Sequence, residues 1–163
     1  MLSQDYLVDQ IPDLPGYAAA LSHSAFARRA LPGVIARGQV LDVAEPLTVE
    51  RLKAHFQACW PSADPCSAQA AEIMPVALRQ FRNSVVLAIM ARDLSRQATF
   101  DETLNSITGL AELTIDSAYQ CAMTAAIAQH GIPRDASGAP QDMMIVGMGK
   151  LGGGELNVSS DVD

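Results

Sequence analysis

Between Thr99 and Gly131 the chain offers a helix with a marked start, a marked stop and no proline in between. Thr99-Phe100-Asp101-Glu102 has the form of a capping box, in which the Thr99 hydroxyl accepts from a free backbone N–H and Glu102 reaches back to the Thr99 amide. His130-Gly131, followed by Pro133, ends the run, because glycine accepts the turning conformation and proline cannot continue a helix. About thirty residues at ~1.5 Å each predict a rod of roughly 45 Å over residues 100–129. Leu104, Ile107, Ala111, Ile115, Ala118 and Ala122 fall on one side of it. A rod that long has to bury its stripe against other helices. The chain's 163 residues, 49% of them hydrophobic, supply a core for one domain of ordinary size.

The sequence before the rod also reads as helical. Pro12, Pro15, Pro32 and Pro46, with Gly16, Gly33 and Gly38, break residues 1–46 into short helices, for example around Ala25 to Leu31. Thr48 is an N-cap for a helix through Phe56 and Cys59 that Trp60-Pro61 stops. Ser67 caps another short helix, and Pro75 suits the first turn of a longer one. That longer helix carries Leu78, Phe81, Val85 and Ile89 as a core stripe, with Arg79 and Arg82 sharing a face beside it. The two arginines read as surface or ion-pair residues. His130 reads as a partner of the last helix carbonyls, and Trp60 and the methionines as core filling.

Eighteen acids against eleven bases give a net charge of −7 and a pI near 4.8, which argues against nucleic acid and anionic membranes as partners. The first residues, Met1 to Tyr6, show neither the basic nor the apolar part of a signal peptide. No stretch reaches the ~20 apolar residues of a membrane helix, the longest runs resembling Val85 to Ala91. Cys59, Cys66 and Cys121 lack CxxC spacing, and His23, His55 and His130 lack HxxxH or HxxE spacing. Free buried thiols in a reducing cytoplasm are therefore expected, and no zinc site.

After Arg134 the character changes. Residues 134–140 form a polar turn, Met143-Met144-Ile145-Val146 suits a buried strand, and glycine-rich sequence leads to Asp161-Val162-Asp163. The expected fold is thus α+β: a helical region over residues 1–140, then the start of a second unit over 141–163, with a strand, a glycine turn and the beginning of a second strand. Two chemical readings compete for this stretch. Gly147-Met148-Gly149-Lys150-Leu151-Gly152 matches the GxGxxG of dinucleotide-binding proteins, but that pattern needs a long helix directly afterwards, which Gly153, Gly154, Asn157, Ser159 and Ser160 disfavour. In the other reading, Gly149-Lys150 is a phosphate turn and Asp161/Asp163 are paired carboxylates. Alternation along a strand points both acids the same way, where they repel unless a hard cation such as Mg²⁺ lies between them. The missing Cβ of Gly149 lets backbone N–H groups approach a phosphate, and Lys150 adds positive charge there. Acids at a strand end are also commonly just solvated.

Gly147-Met-Gly-Lys-Leu-Gly-Gly-Gly-Glu-Leu-Asn-Val-Ser-Ser-Asp-Val-Asp163 resembles the signature of the bifunctional glutamine synthetase adenylyltransferase/adenylyl-removing family. Leu78-Arg-Gln-Phe-Arg-Asn83, Arg92-Asp-Leu94 and the Thr99 helix are similar to the helical stretch before that family's first catalytic site, and Ser24 to Arg28 more loosely to its start. The resemblance implies a nucleotidyltransferase-type, polymerase-β-like domain, the first of two in tandem. This first domain removes AMP: inorganic phosphate attacks the phosphodiester of adenylylated tyrosine on glutamine synthetase and releases ADP. The second uses ATP to add AMP, and the family answers to the PII signal protein and to glutamine. By position, Asp161 and Asp163 would be catalytic and hold Mg²⁺, while Gly149, Lys150, Gly154 and Ser160 would shape the phosphate end. Lys150 stands where many wider nucleotidyltransferases have serine. A third carboxylate and further strands are not in the sequence, so the chain reads as an inactive amino-terminal fragment. A stand-alone Mg²⁺-dependent nucleotidyltransferase acting on a small molecule, or a helical interaction module without catalysis, remain alternatives.

Overall fold

The computed structural model describes residue 14, residues 16–60 and residues 68–160. The helices in chain order are α1 (Tyr17–His23), α2 (Ala25–Ala36), α3 (Val49–Cys59), α4 (Ala68–Leu94), α5 (Phe100–His130) and the single turn α6 (Gly149–Gly152). Ser24 both ends α1 and starts α2: its N–H donates to the Ala20 carbonyl at 2.9 Å, and its hydroxyl accepts from the Ala27 N–H at 3.2 Å. Thr48 caps α3 in the same way, accepting from Arg51 N–H at 3.3 Å, and Thr99 caps α5 by accepting from Glu102 N–H at 3.1 Å.

The long helix α4 is the centre of the molecule and packs against α1, α2, α3 and α5. Its middle, Ser84 to Ile89, is buried on every side, as an unbroken apolar run should be. Phe81, Val85, Leu87 and Ile89 meet Leu31 and Val34 of α2 and Leu52 of α3 in one core. Each such side chain contributes about 1.5–3 kcal/mol through burial. Phe56 lies edge-on to Phe81, with ring centroids 5.0 Å apart, and tilts against Trp60 at 5.1 Å.

Arg92, 3% exposed at the end of α4, joins three segments. Its guanidinium donates to both carboxylate oxygens of Glu102, at 2.6 and 3.1 Å, to the Val43 carbonyl at 2.7 Å and to the Gln97 carbonyl at 3.3 Å. Glu102 also accepts from the Leu47 N–H at 3.4 Å, and the Arg92 contact holds its carboxyl below the usual range. Only half of the expected capping box therefore forms. The Thr99 half is present, while Glu102 turns away from the Thr99 amide because a buried guanidinium is the stronger partner.

Several other expectations are corrected. α2 does not stop near Leu31 but continues through Pro32 to Ala36, and α4 passes through Pro75 instead of starting there. Interior proline costs about 3 kcal/mol, which burial of Leu31 and Val34 in α2, and of Met74, Ala77 and Phe81 in α4, offsets. Ser67 and Cys66 lie outside the described residues. Met143, Met144 and Met148 are exposed, not core filling.

The largest correction concerns fold class. The described residues are helical and contain no strand, so the expected α+β arrangement with a polymerase-β-like sheet is not seen. Among the described residues Met143 to Val146 has no neighbouring strand to pair with, and its four side chains are 46–84% exposed. An extended segment becomes sheet only when another backbone takes up its N–H and C=O groups. The nearest approach to pairing is one isolated antiparallel bridge between Arg134 and Pro140. The second expected strand, at Asp161 to Asp163, lies outside the described residues.

Candidate functional site

The segment that follows α5 is held by side chains more than by regular structure. Asp135 organises the turn at its head. One of its carboxylate oxygens accepts from the Ser137 N–H and hydroxyl at 2.8 and 2.7 Å and from the Ala139 N–H at 3.0 Å, and the Ser137 contact foremost keeps this carboxyl below its ordinary range. Tyr119, on α5, then fixes the chain where it passes: its hydroxyl donates to the Asp142 carboxylate and accepts from the Met143 N–H at 3.2 Å.

The glycines that follow have distinct tasks. A Cβ on Gly152 would sit 2.4 Å from the Gly147 carbonyl oxygen, so the chain can fold this tightly only with glycine at that position. Gly149 (φ 55°) opens α6 and Gly154 (φ 70°) leaves the turn, both in the left-handed region that glycine enters without strain. The Glu155 N–H donates to the Lys150 carbonyl at 2.7 Å and closes the loop. With only four residues, α6 is not the long helix that a dinucleotide-binding GxGxxG requires.

Leu156, 2% exposed, then enters the helical core and anchors the segment. Asn157 builds the last described turn. Its side-chain oxygen accepts from the Ser159 N–H (3.1 Å) and from the Ser159 and Ser160 hydroxyls (both 3.0 Å), while the Asn157 N–H donates to the Ser160 hydroxyl at 3.2 Å.

These turns bring Gly149, Lys150 and Ser160 to the wall of one cavity of about 770 Å³, which Ile115 of α5 and Leu156 also line. Gly154 is not among its walls; its place is in the backbone turn. The Lys150 ammonium has no acidic partner among the described residues. Asp161 and Asp163 lie outside the described residues, directly after Ser160 in sequence. Among the described residues no group of three or more His, Cys, Asp or Glu could hold a metal ion. Asp161 and Asp163 carry oxygen-only donors, the type of ligand that Mg²⁺ takes.

Sequence reasoning overlooked Tyr119, Leu156 and Asn157. Asn157 left a legible signal, since an asparagine two and three residues before serines favours a side-chain-capped turn. Also overlooked was a polar cluster outside this segment. His55 and Cys59 share a face of α3, and His55 Nε2 lies 2.8 Å from the Ser84 hydroxyl on α4, which itself donates to the Phe81 carbonyl at 2.8 Å. Burial, with a smaller effect from Arg51, lowers the His55 pKa, and burial raises that of the Cys59 thiol. Neutral forms are favoured for both, which suits a hydrogen-bonded packing contact. Arg79 and Arg82 are exposed and form no ion pair among the described residues.

The family described as Glutamate-ammonia ligase adenylyltransferase matches residues 33–163. A bifunctional glutamine synthetase adenylyltransferase/adenylyl-removing enzyme of Bordetella pertussis is 40% identical over 157 residues, covering 91% of this chain and 16% of its own length. Proteins of the same name from Chromobacterium violaceum and Thioalkalivibrio sulfidiphilus are 44% and 51% identical, covering 72% and 53% of this chain and 12% and 9% of their own lengths. The chain thus spans about a sixth or less of the length of these relatives. No solved structure matches it. No helix among the described residues is long and apolar enough to cross a membrane. With a family match that runs from Gly33 to Asp163 and relatives alike over most of its residues, the chain belongs to the glutamate-ammonia ligase adenylyltransferase family.

Proposed function

We propose that this chain carries the leading part of an adenylyl-removing site, in a protein that controls glutamine synthetase by adding and removing AMP in the bacterial cytoplasm. The observation that supports this most is the cavity shared by Gly149, Lys150 and Ser160, immediately before Asp161 and Asp163, in a chain of this family. In this reading inorganic phosphate attacks the phosphorus of the adenylyl-tyrosine, the bond to the tyrosine oxygen breaks, and ADP leaves.

Each residue has a role that follows from its place. Lys150 supplies fixed positive charge toward the phosphate oxygens, and Gly149 lets the backbone approach them without a side chain in the way. Asn157 occupies the Ser160 hydroxyl, so Ser160 contributes mainly by setting the path into Asp161. Asp161 and Asp163 would hold Mg²⁺, which when bound neutralises negative charge on the transferring group. Much of the rate gain then comes from holding phosphate and phosphodiester in line. The partners in this reading are glutamine synthetase as substrate and the PII protein as regulator.

The test uses the full-length protein that contains this chain. Asp161→Asn and Asp163→Asn are expected to slow phosphate-dependent ADP release from adenylylated glutamine synthetase by at least about 100-fold, while ATP-dependent adenylylation persists. If adenylylation is lost and removal survives, the assignment is wrong.

A further inference from the structure

We propose that a second cavity, between α4, α5 and the Leu156–Ser160 segment, is the subsite for the purine base of the adenylyl group, with Arg82 as its polar contact. This rests on the proposed adenylyl-removing reading for the identity of the nucleotide. The cavity measures about 330 Å³, at the lower end of the ~300–1,000 Å³ typical of small-molecule sites. That size suits one ring system better than a whole nucleotide. Val86, Ile107, Leu110 and Leu156, all under 9% exposed, form its walls, so it is cut into the core and is not a surface dimple.

The polar edge is mostly donors, with one acceptor. Thr114 spends its hydroxyl proton on the Leu110 carbonyl at 2.7 Å and keeps an acceptor oxygen, while Ser160 and Asn157 satisfy one another as described above. Because the Asn157 side-chain oxygen already accepts three hydrogen bonds, its NH₂ group is what remains for an occupant. Arg82 brings a planar guanidinium with five N–H donors and no acidic partner among the described residues. Among the described residues no carboxylate lines the cavity. Flat apolar walls with donors at one end complement a heteroaromatic ring whose edge nitrogens accept, and a guanidinium can also stack on its face.

Position relates this cavity to the phosphate turn. Ile115, Leu156 and Ser160 line both it and the larger cavity bounded by Gly149 and Lys150. A base in the smaller space would therefore lie next to phosphate in the larger one, as the two ends of one nucleotide.

Photolabelling of the full-length protein with 8-azidoadenosine 5′-monophosphate in EDTA, followed by peptide mapping, tests this without relying on activity. Label is expected on peptides containing Arg82, Ile107–Ile115 or Leu156–Ser160, and excess AMP should remove it. Arg82→Ala changes an exposed residue and leaves the core alone; it should lower this labelling about tenfold, with Arg82→Lys restoring only part. Ala111→Phe, which fills the cavity, should abolish it while the melting temperature confirms folding. Label found only elsewhere, or unchanged in Arg82→Ala, overturns the subsite. The two proposals fail separately. If labelling maps as expected but Asp161→Asn leaves adenylyl removal intact, the reaction assignment falls. If removal depends on Asp161 and the label lies elsewhere, the subsite falls.

Discussion

The helical body and the segment after it are built on different terms. From Tyr17 to Cys121 buried side chains recur through every helix, whereas from Gly131 to Ser160 only Leu156 is buried. The body is held by area removed from water, which many residues share. The later segment is held by a few specific contacts: the Asp135 turn, the Tyr119 hydroxyl, the Gly147–Gly152 approach, Leu156 and the Asn157 turn. Burial is therefore divided unevenly along the chain, and the proposed phosphate residues Lys150 and Ser160 lie on the part that has least of it to spare.

Substitutions that act on one region and not the other can break or refine this contrast. The largest effect is expected from Phe81→Ala, because Phe81 is fully buried and touches the rings of His55 and Phe56. It should cost about 3–5 kcal/mol in denaturant unfolding and take both regions down together. Next, Leu156→Ala should remove about 2–3 kcal/mol, but locally. Hydrogen exchange should quicken over residues 131–160 while α1 to α4 stay protected. Equal loss of protection in both regions would mean the segment is not suspended from this one anchor.

The smallest effect is on acid sensitivity, and it belongs to the body. The His55 pKa is lowered by folding, so its contribution is complete above the ordinary value of 6.5 and fades as pH falls below it. Glu102 is also lowered, so its contribution is complete above 4.5 and fades as pH falls further. Stability should accordingly decline in two steps on acidification, and Glu102→Gln should shrink the lower one, to which Asp135 also contributes. A stability curve that stays flat from pH 7 to 5 would contradict the His55 direction, and one with no further fall from pH 4.5 to 2.5 the Glu102 direction.

What the sequence revealed was chiefly local. The Thr48 and Thr99 caps depend on neighbours three residues away, and the Phe81, Val85 and Ile89 stripe on helical repeat alone; all can be read without tertiary knowledge. Pro32 and Pro75 were misread because their local penalty is outweighed by burial against other helices. Glu102 was misread because its stronger partner, Arg92, arrives from another helix. The strand expectation at Met143–Val146 rested on apolar character, which does not supply the neighbouring backbone that a sheet needs. In the candidate site, Gly149, Lys150 and Ser160 are close in sequence and so easily grouped. Tyr119 is joined to Asp142 across 23 positions, a link no local pattern announces.

Arg92 also bears on how the body assembles. Its side chain is satisfied only when the stretch before α3, the link between α4 and α5 and the first turn of α5 have all arrived. A partial arrival leaves a cation stranded away from water, so halfway states of this corner are penalised. Opening there should be all-or-none, making the three segments a single cooperative unit even though 59 positions separate Val43 from Glu102 in the chain.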